Sequence, residues 1–181
     1  DTNLLWDLYS ITKRDSNEGC ISNTIKLLNT TKYNNKFYKT IDIPSNEKGV
    51  TKYSLNFGNL CKTLQDTNLI IKKSDLKIRD KEVLWFGNYE KTAEKSADII
   101  RTYYNTLHEI LKGENERWFE TFFMHNNGFN VAIRVLIEIL QYLKIRDISK
   151  SQKIFDLLKL GLLFWIEVNS PSETRKVTSS E

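Results

Sequence analysis

Two histidines and two cysteines, set among 23 acidic and 27 basic residues, carry most of the chemical potential of this chain. Their spacing decides what they could do. His125 opens the run His125-Asn126-Asn127-Gly128-Phe129. A metal site on a helix needs a second ligand three or four residues on, and glycine and phenylalanine stand there. His108 lies seventeen residues earlier beside Glu109, and no HExxH motif occurs. Cys20 and Cys61 are 41 positions apart with no CxxC and no flanking histidine. This is the pattern of reduced, half-buried thiols in a cytoplasmic protein, with a single disulfide as the lesser alternative. No GxSxG marks a nucleophile, and carboxylate pairs such as Glu94 with Asp98 fit a solvated helix face. The expectation is a chain without catalytic residues, metal or cofactor.

The Asn126-Asn127-Gly128 run has two readings. Asparagine beside glycine suits the start of a helix, where the side chain satisfies free N–H groups and Gly128 allows a tight approach. Phe122, Phe123 and Phe129 would pack around it. An exposed helix start could also bind a phosphate, but no phosphate-loop lysine or glycine-rich loop accompanies it. The expectation is that Asn126 or Asn127 caps a helix.

The segment KYNNKFYK, residues 32–39, interleaves basic and aromatic residues. Lys32, Lys36 and Lys39 could meet phosphates while Tyr33, Phe37 or Tyr38 stack or pack. The plainer reading is a loop leading into a strand whose aromatics face the core. A second basic run, residues 72–81, is diluted by Asp75 and Asp80 and reads as solvated surface.

The elements that must position these residues are mostly helical. In NLLWDLYSITKR, Leu4, Leu5, Leu8, Tyr9 and Ile11 fall at helical spacing with Trp6 beside them. Gly19 and the Asp-Ser-Asn cluster before it form a break. A second helix follows with Ile21, Ile25 and Leu28 on one face, ended by Asn-Thr-Thr, so the two helices form a hairpin. In KFYKTIDIP, Phe37, Ile41 and Ile43 alternate, with Lys39 breaking the row, and the segment reads as a strand; Val50–Tyr53 offers a second. Ser54 is placed to cap a helix with Phe57, Leu60, Cys61 and Leu64 inward. Residues 67–88 show no sustained period. Ala93, Ala97, Ile100, Tyr104, Leu107 and Leu111 then step by four and three along a long amphipathic helix that Gly113 stops.

After Gly128 the polar residues Asn130, Arg134, Glu138 and Gln141 form one narrow stripe on an otherwise apolar helix, which reads as a core helix too short and charged for a membrane. From Lys150 a last helix ends in LGLLFWIEV, apolar on nearly every side. Leu162, Leu163, Trp165 and Ile166 are expected to include partly exposed residues, and the chain to self-associate. Residues 169–181 read as an unfolded polar tail, leaving residues 1–168 as one helical domain.

At 181 residues, 40% hydrophobic and 12% aromatic, the chain has ample material for one packed core. Its net charge of +4 permits contact with an anion without demanding it. The only methionine is Met124, and the start DTNLLWDLYS has neither the basic nor the apolar region of a signal peptide. The expectation is a piece of a longer protein. The fold class expected is mainly α, an irregular helical bundle with a small two-stranded β element.

The order of pieces LLWDLYSITKRDSNEGCISNTIKLLN, KFYKTIDIP, YSLNFGNLCKTL, a long helix, RWFETFF and NNGFNVAIRVLIEIL resembles the downstream half of DGQHR-domain proteins. These include the DndB-like proteins associated with bacterial DNA phosphorothioation. Trp118, Asn127 and Gly128 stand where that family has a tryptophan after the long helix and an asparagine–glycine helix start. The resemblance covers roughly residues 4–143. The Asp-Gly-Gln-His-Arg signature is absent, and the resemblance implies that it lies upstream of Asp1 together with any catalytic residue. It implies a non-catalytic helical region in a DNA-modification or defence protein. Its partners would be the missing N-terminal part and, weakly and without sequence preference, DNA through Lys32, Lys36 and Lys39. The rival is a protein–protein interaction or homo-oligomerisation module that never touches nucleic acid.

Overall fold

The computed structural model describes residues 2–43, 55–71, 84–113, 115–143, 156, 158–162 and 164. The chain divides into two compact units, 1–150 and 151–181. The first is mainly α, an irregular bundle with a small two-stranded parallel sheet. Its elements are α1 (Thr2–Thr12), α2 (Asn17–Thr30), β1 (Ile41–Asp42), β2 (Leu55–Asn56), α3 (Phe57–Asp66), α4 (Tyr89–Leu111), α5 (Glu116–Trp118), a π-helical turn (Phe119–Phe123) and α6 (Asn126–Leu143).

The centre of the bundle is α4. The six residues read as its apolar stripe, from Ala93 to Leu111, are all buried, joined by Ile99, Tyr103 and Ile110. Asn88 caps its start, the side chain accepting from the Lys91 N–H at 2.8 Å, and Gly113 follows its end at a φ of +92°. That left-handed value is one glycine tolerates, so the stop is where the sequence puts it. Tyr104 lies at the heart of an aromatic cluster, 4.4 Å from the Phe37 ring, 5.9 Å from Phe129 and 6.2 Å from Phe119.

The hairpin of α1 and α2 forms, but α1 turns the unexpected face inward. Leu4, Leu5, Leu8 and Ile11 are 47–61% exposed, whereas Trp6, Asp7 and Ser10 are buried. Polar bonding dictates this. Asp7 forms an ion pair with Lys26 of α2, Lys26 Nζ donates to Ser10 Oγ at 2.7 Å, and Ser22 Oγ donates to the Trp6 carbonyl at 2.6 Å. Rotating α1 to bury its leucines would strip Asp7 of its cation and leave a buried charge unpaired.

Gly19 is no break either. It sits in the first turn of α2, which Ser16 caps, and a Cβ there would stand 1.9 Å from the Lys13 carbonyl oxygen. The glycine allows the chain to double back tightly between the helices.

The two-residue strands pair in parallel, Ile41 opposite Leu55 and Asp42 opposite Asn56. Phe37, Ile41 and Ile43 are all buried as their alternation suggests, but residues 36–40 are turns and not strand, because Lys39 takes a φ of +55°. The second strand expected at Val50–Tyr53 lies outside the described residues. So does Ser54; the cap of α3 is Asn56, whose side chain accepts from the Asn59 N–H at 3.0 Å. The four expected α3 residues, Phe57, Leu60, Cys61 and Leu64, are buried. A parallel bridge outside the two strands joins Ile70 to Leu84.

Of α6, Phe129, Ala132, Ile133, Leu136 and Leu140 are buried. Val131 and Val135 are each 41% exposed, and Tyr142 is exposed. The bundle therefore covers one side of this helix and not its circumference. In the second unit Leu160 and Phe164 are exposed and Leu162 is partly so; Leu163, Trp165, Ile166 and the tail boundary at 168 lie outside the described residues. No helix among the described residues is long and apolar enough to cross a membrane.

Candidate functional site

The lysine-bearing segment is a loop between α2 and β1, and asparagines fasten it. The Asn35 amide donates to the carbonyls of Leu28 and Thr31, and its carbonyl accepts from the Phe37 N–H at 2.9 Å. Asn29 accepts from the Lys39 N–H through its backbone at 3.0 Å and from the Ile41 N–H through its side chain at 2.9 Å. From α4, Asn105 Nδ2 donates to the Asn34 carbonyl at 2.7 Å. Phe37 plugs the loop into the aromatic cluster and is wholly buried, so it has no face to offer a base. Tyr33, at 88% exposure, has one.

The three lysines separate into two kinds. Lys32 and Lys39 are exposed, and Lys39 Nζ lies 5.5 Å from the Tyr38 ring. Lys36 is half-buried and turns back to α4, its Nζ 3.4 Å from His108 Nε2. The same nitrogen stands 3.4 Å from Glu116 Oε1, and the Phe119 ring meets the imidazole edge-on at 4.9 Å. One ring nitrogen cannot both accept from Lys36 and donate to Glu116, so the tie of the loop to α4 is Lys36 donating to the His108 Nε2 lone pair, with the Glu116 carboxylate beside it. Lys36 and His108 are 72 residues apart, so no local sequence signal could have joined them.

At the start of α6 the expected cap is replaced. His125 precedes the helix, its carbonyl accepting from the Phe129 N–H at 2.9 Å. Asn126 lies in the first turn, and its side chain accepts from the backbone N–H of Asn56 at 2.9 Å, across to the head of α3. Asn127 is exposed. Asn126 was misread because its partner is 70 residues away. Gly128 behaves as expected, for a Cβ there would sit 1.9 Å from the Phe122 carbonyl oxygen. Beside it α3 and α6 flank an open groove of about 510 Å³ that includes Asn59, Lys62, Asn126, Asn127 and Asn130.

Both cysteines are free thiols, buried rather than half-buried. Burial pushes the Cys20 thiol up to about 12, and its Sγ lies 3.3 Å from the Tyr89 carbonyl. Burial likewise raises Cys61 well above the ordinary range. A thiol that resists ionisation is a poor nucleophile. Among the described residues no three His, Cys, Asp or Glu side chains are grouped to hold a metal ion.

No protein-family model matches this chain, and no characterised protein or solved structure shows significant similarity to it.

Proposed function

We propose that this chain is a non-catalytic helical region of a DGQHR-domain, DndB-like protein that works in bacterial DNA modification or defence in the cytoplasm. Its Lys32–Lys39 loop contacts the nucleic-acid backbone weakly and without sequence preference. The order of sequence pieces supports the family. The observation that carries the contact is the pairing of exposed Lys32, Tyr33 and Lys39 on a loop otherwise fastened down by Asn35 and Phe37. A fixed loop presents its cations without the cost of ordering them on binding. Lys36 serves to hold the loop through His108, and phosphate contact falls to the outer two lysines and the Tyr33 ring.

Titration of a short duplex at low ionic strength tests this reading. Affinity should fall steeply with salt, and Lys32→Gln with Lys39→Gln should flatten the logarithmic slope by about 0.9 per lost phosphate contact. No binding at low salt, or binding indifferent to both substitutions, removes the proposal. The second reading, a protein interaction module, then stands on its own observation. The exposed side of α1 carries Leu4, Leu5, Leu8 and Ile11 and no charge at all, since the one charged residue of that helix is the inward Asp7.

A further inference from the structure

His108 Nε2 faces a cation and an anion at the same distance. Lys36 Nζ, from the loop between α2 and β1, and Glu116 Oε1, from α5, each stand 3.4 Å from it. An imidazole nitrogen either carries a proton or offers a lone pair, so it serves one of these partners at a time. A neutral ring with its proton on Nδ1 accepts from the Lys36 ammonium through Nε2. Protonation makes Nε2 a donor, which suits Glu116 and sets two cations against each other at Lys36. The choice of partner is therefore a choice of charge state. Histidine is the side chain whose ordinary titration falls between about pH 5 and 8.

The surroundings can accommodate both states. His108 Nδ1 is buried with no hydrogen-bond partner among the described residues, and Glu109 Oε1 lies 3.7 Å from it. A doubly protonated ring would thus have a carboxylate near each nitrogen. Lys112 Nζ stands behind, 3.9 Å from Glu109 Oε2, and the π-helical turn brings the uncharged Phe119 ring edge-on. The charged groups around the imidazole among the described residues are Lys36 from the loop, Glu116 from α5, and Glu109 and Lys112 from α4. The ring is mostly buried but both carboxylates are exposed, so water can deliver a proton at its edge.

The loop itself does not hang on this contact. Asn35, Asn105 and the buried Phe37 fasten its backbone, and none of those groups titrates. Losing the His108 acceptor frees one side chain and leaves the loop in place.

We propose that His108 is a proton-operated latch on Lys36. The neutral ring holds the ammonium against α4; the protonated ring turns to Glu116 and releases the lysine to water, beside the exposed Lys32 and Lys39. The proton passes from solvent to His108 Nε2, and Lys36 keeps its own. What the loop contacts does not enter, so the latch stands or falls apart from the nucleic-acid reading.

Nuclear magnetic resonance of the whole chain at about pH 8 and about pH 5, where Glu116 stays largely ionised, tests the latch. At the higher pH the ring should carry its proton on Nδ1, and an Overhauser contact should join the Lys36 ε-methylene to the His108 ring. At the lower pH that contact should be lost while the Phe37 ring keeps its contact with Tyr104. In His108→Gln, whose amide oxygen accepts at either pH, Lys36 should hold the same contact at both. His125, the other histidine of the chain, is still present in that variant and so is excluded as the source. A Lys36–His108 contact that persists at the lower pH, or a proton on Nε2 at the higher, overturns the latch. So does loss of the Phe37–Tyr104 contact along with it, or a Lys36 contact in His108→Gln that still disappears on acidification.

Discussion

Helices α1 and α4 are both amphipathic in sequence, and the bundle treats them oppositely. The apolar stripe of α4 is buried along its whole length, and its charged residues, among them Glu90, Glu94 and Lys95, lie outside. In α1 the leucines lie outside, and the buried face holds Asp7 and Ser10 beside Trp6. Hydrophobic gain is proportional to area, and Leu4, Leu5, Leu8 and Ile11 keep about half of their surface covered where they stand. A carboxylate buried without its cation is not forgiving. Where an apolar face and a paired buried charge compete for one docking surface, the charge sets the rotation of the helix.

The sharpest way to break the comparison is to remove the charge. Asp7→Ala leaves Lys26 without its carboxylate and should destabilise the first unit by about 3–5 kcal/mol, read from the urea midpoint. Leu8→Ala on the same helix should stay within about 0.5 kcal/mol, as for other exposed sites. Equal losses from the two substitutions would mean that α1 docks through its leucines after all.

Alkali probes the buried interior shared by α2, α3 and α4. Cys20 is raised from 9.0 to about 12, and burial raises Cys61, Tyr103 and Tyr104 as well. In the unfolded chain the thiols ionise near their ordinary 9.0 and the phenols near 10.0, while the folded chain keeps those protons. The unfolded state then binds fewer protons, so unfolding becomes easier as pH rises. Stability should be flat below about pH 8 and fall steadily from about pH 9 to 12. Denaturation midpoints unchanged between pH 8 and 11 would contradict the burial of these four groups.

The smallest effect refines the picture of α4. Ser96 is wholly buried on its inner face, and its hydroxyl has no hydrogen-bond partner among the described residues. Ser96→Ala removes a desolvated hydroxyl and adds helix propensity, so stability should rise by about 1 kcal/mol. A loss of stability would reveal a partner for the hydroxyl and make α4 less purely hydrophobic than α1 is polar.

Much of the fold was legible along the chain because period is a local property. The step of four and three residues named the buried stripe of α4, Gly113 marked its end, and Phe57, Leu60, Cys61 and Leu64 named the inner face of α3. Gly128 was legible as a tight approach, since only glycine admits a carbonyl oxygen where a Cβ would stand. The lysines of residues 32–39 were legible as a group but not as individuals. Composition cannot tell which of them faces water and which turns back to His108.

The sequence by itself determined that the chain is helical, where its long helices lie and that α1 has two unlike faces. Only tertiary structure decided which face of α1 is buried, that Asn126 serves Asn56 and not its own helix, and that Lys36 turns back to His108. The physical reason is the range of the forces. Helix propensity and hydrophobic period act within a few residues and can be read in order. A buried charge or amide must find one directional partner, and the partners of Asp7 and Asn126 come from other helices.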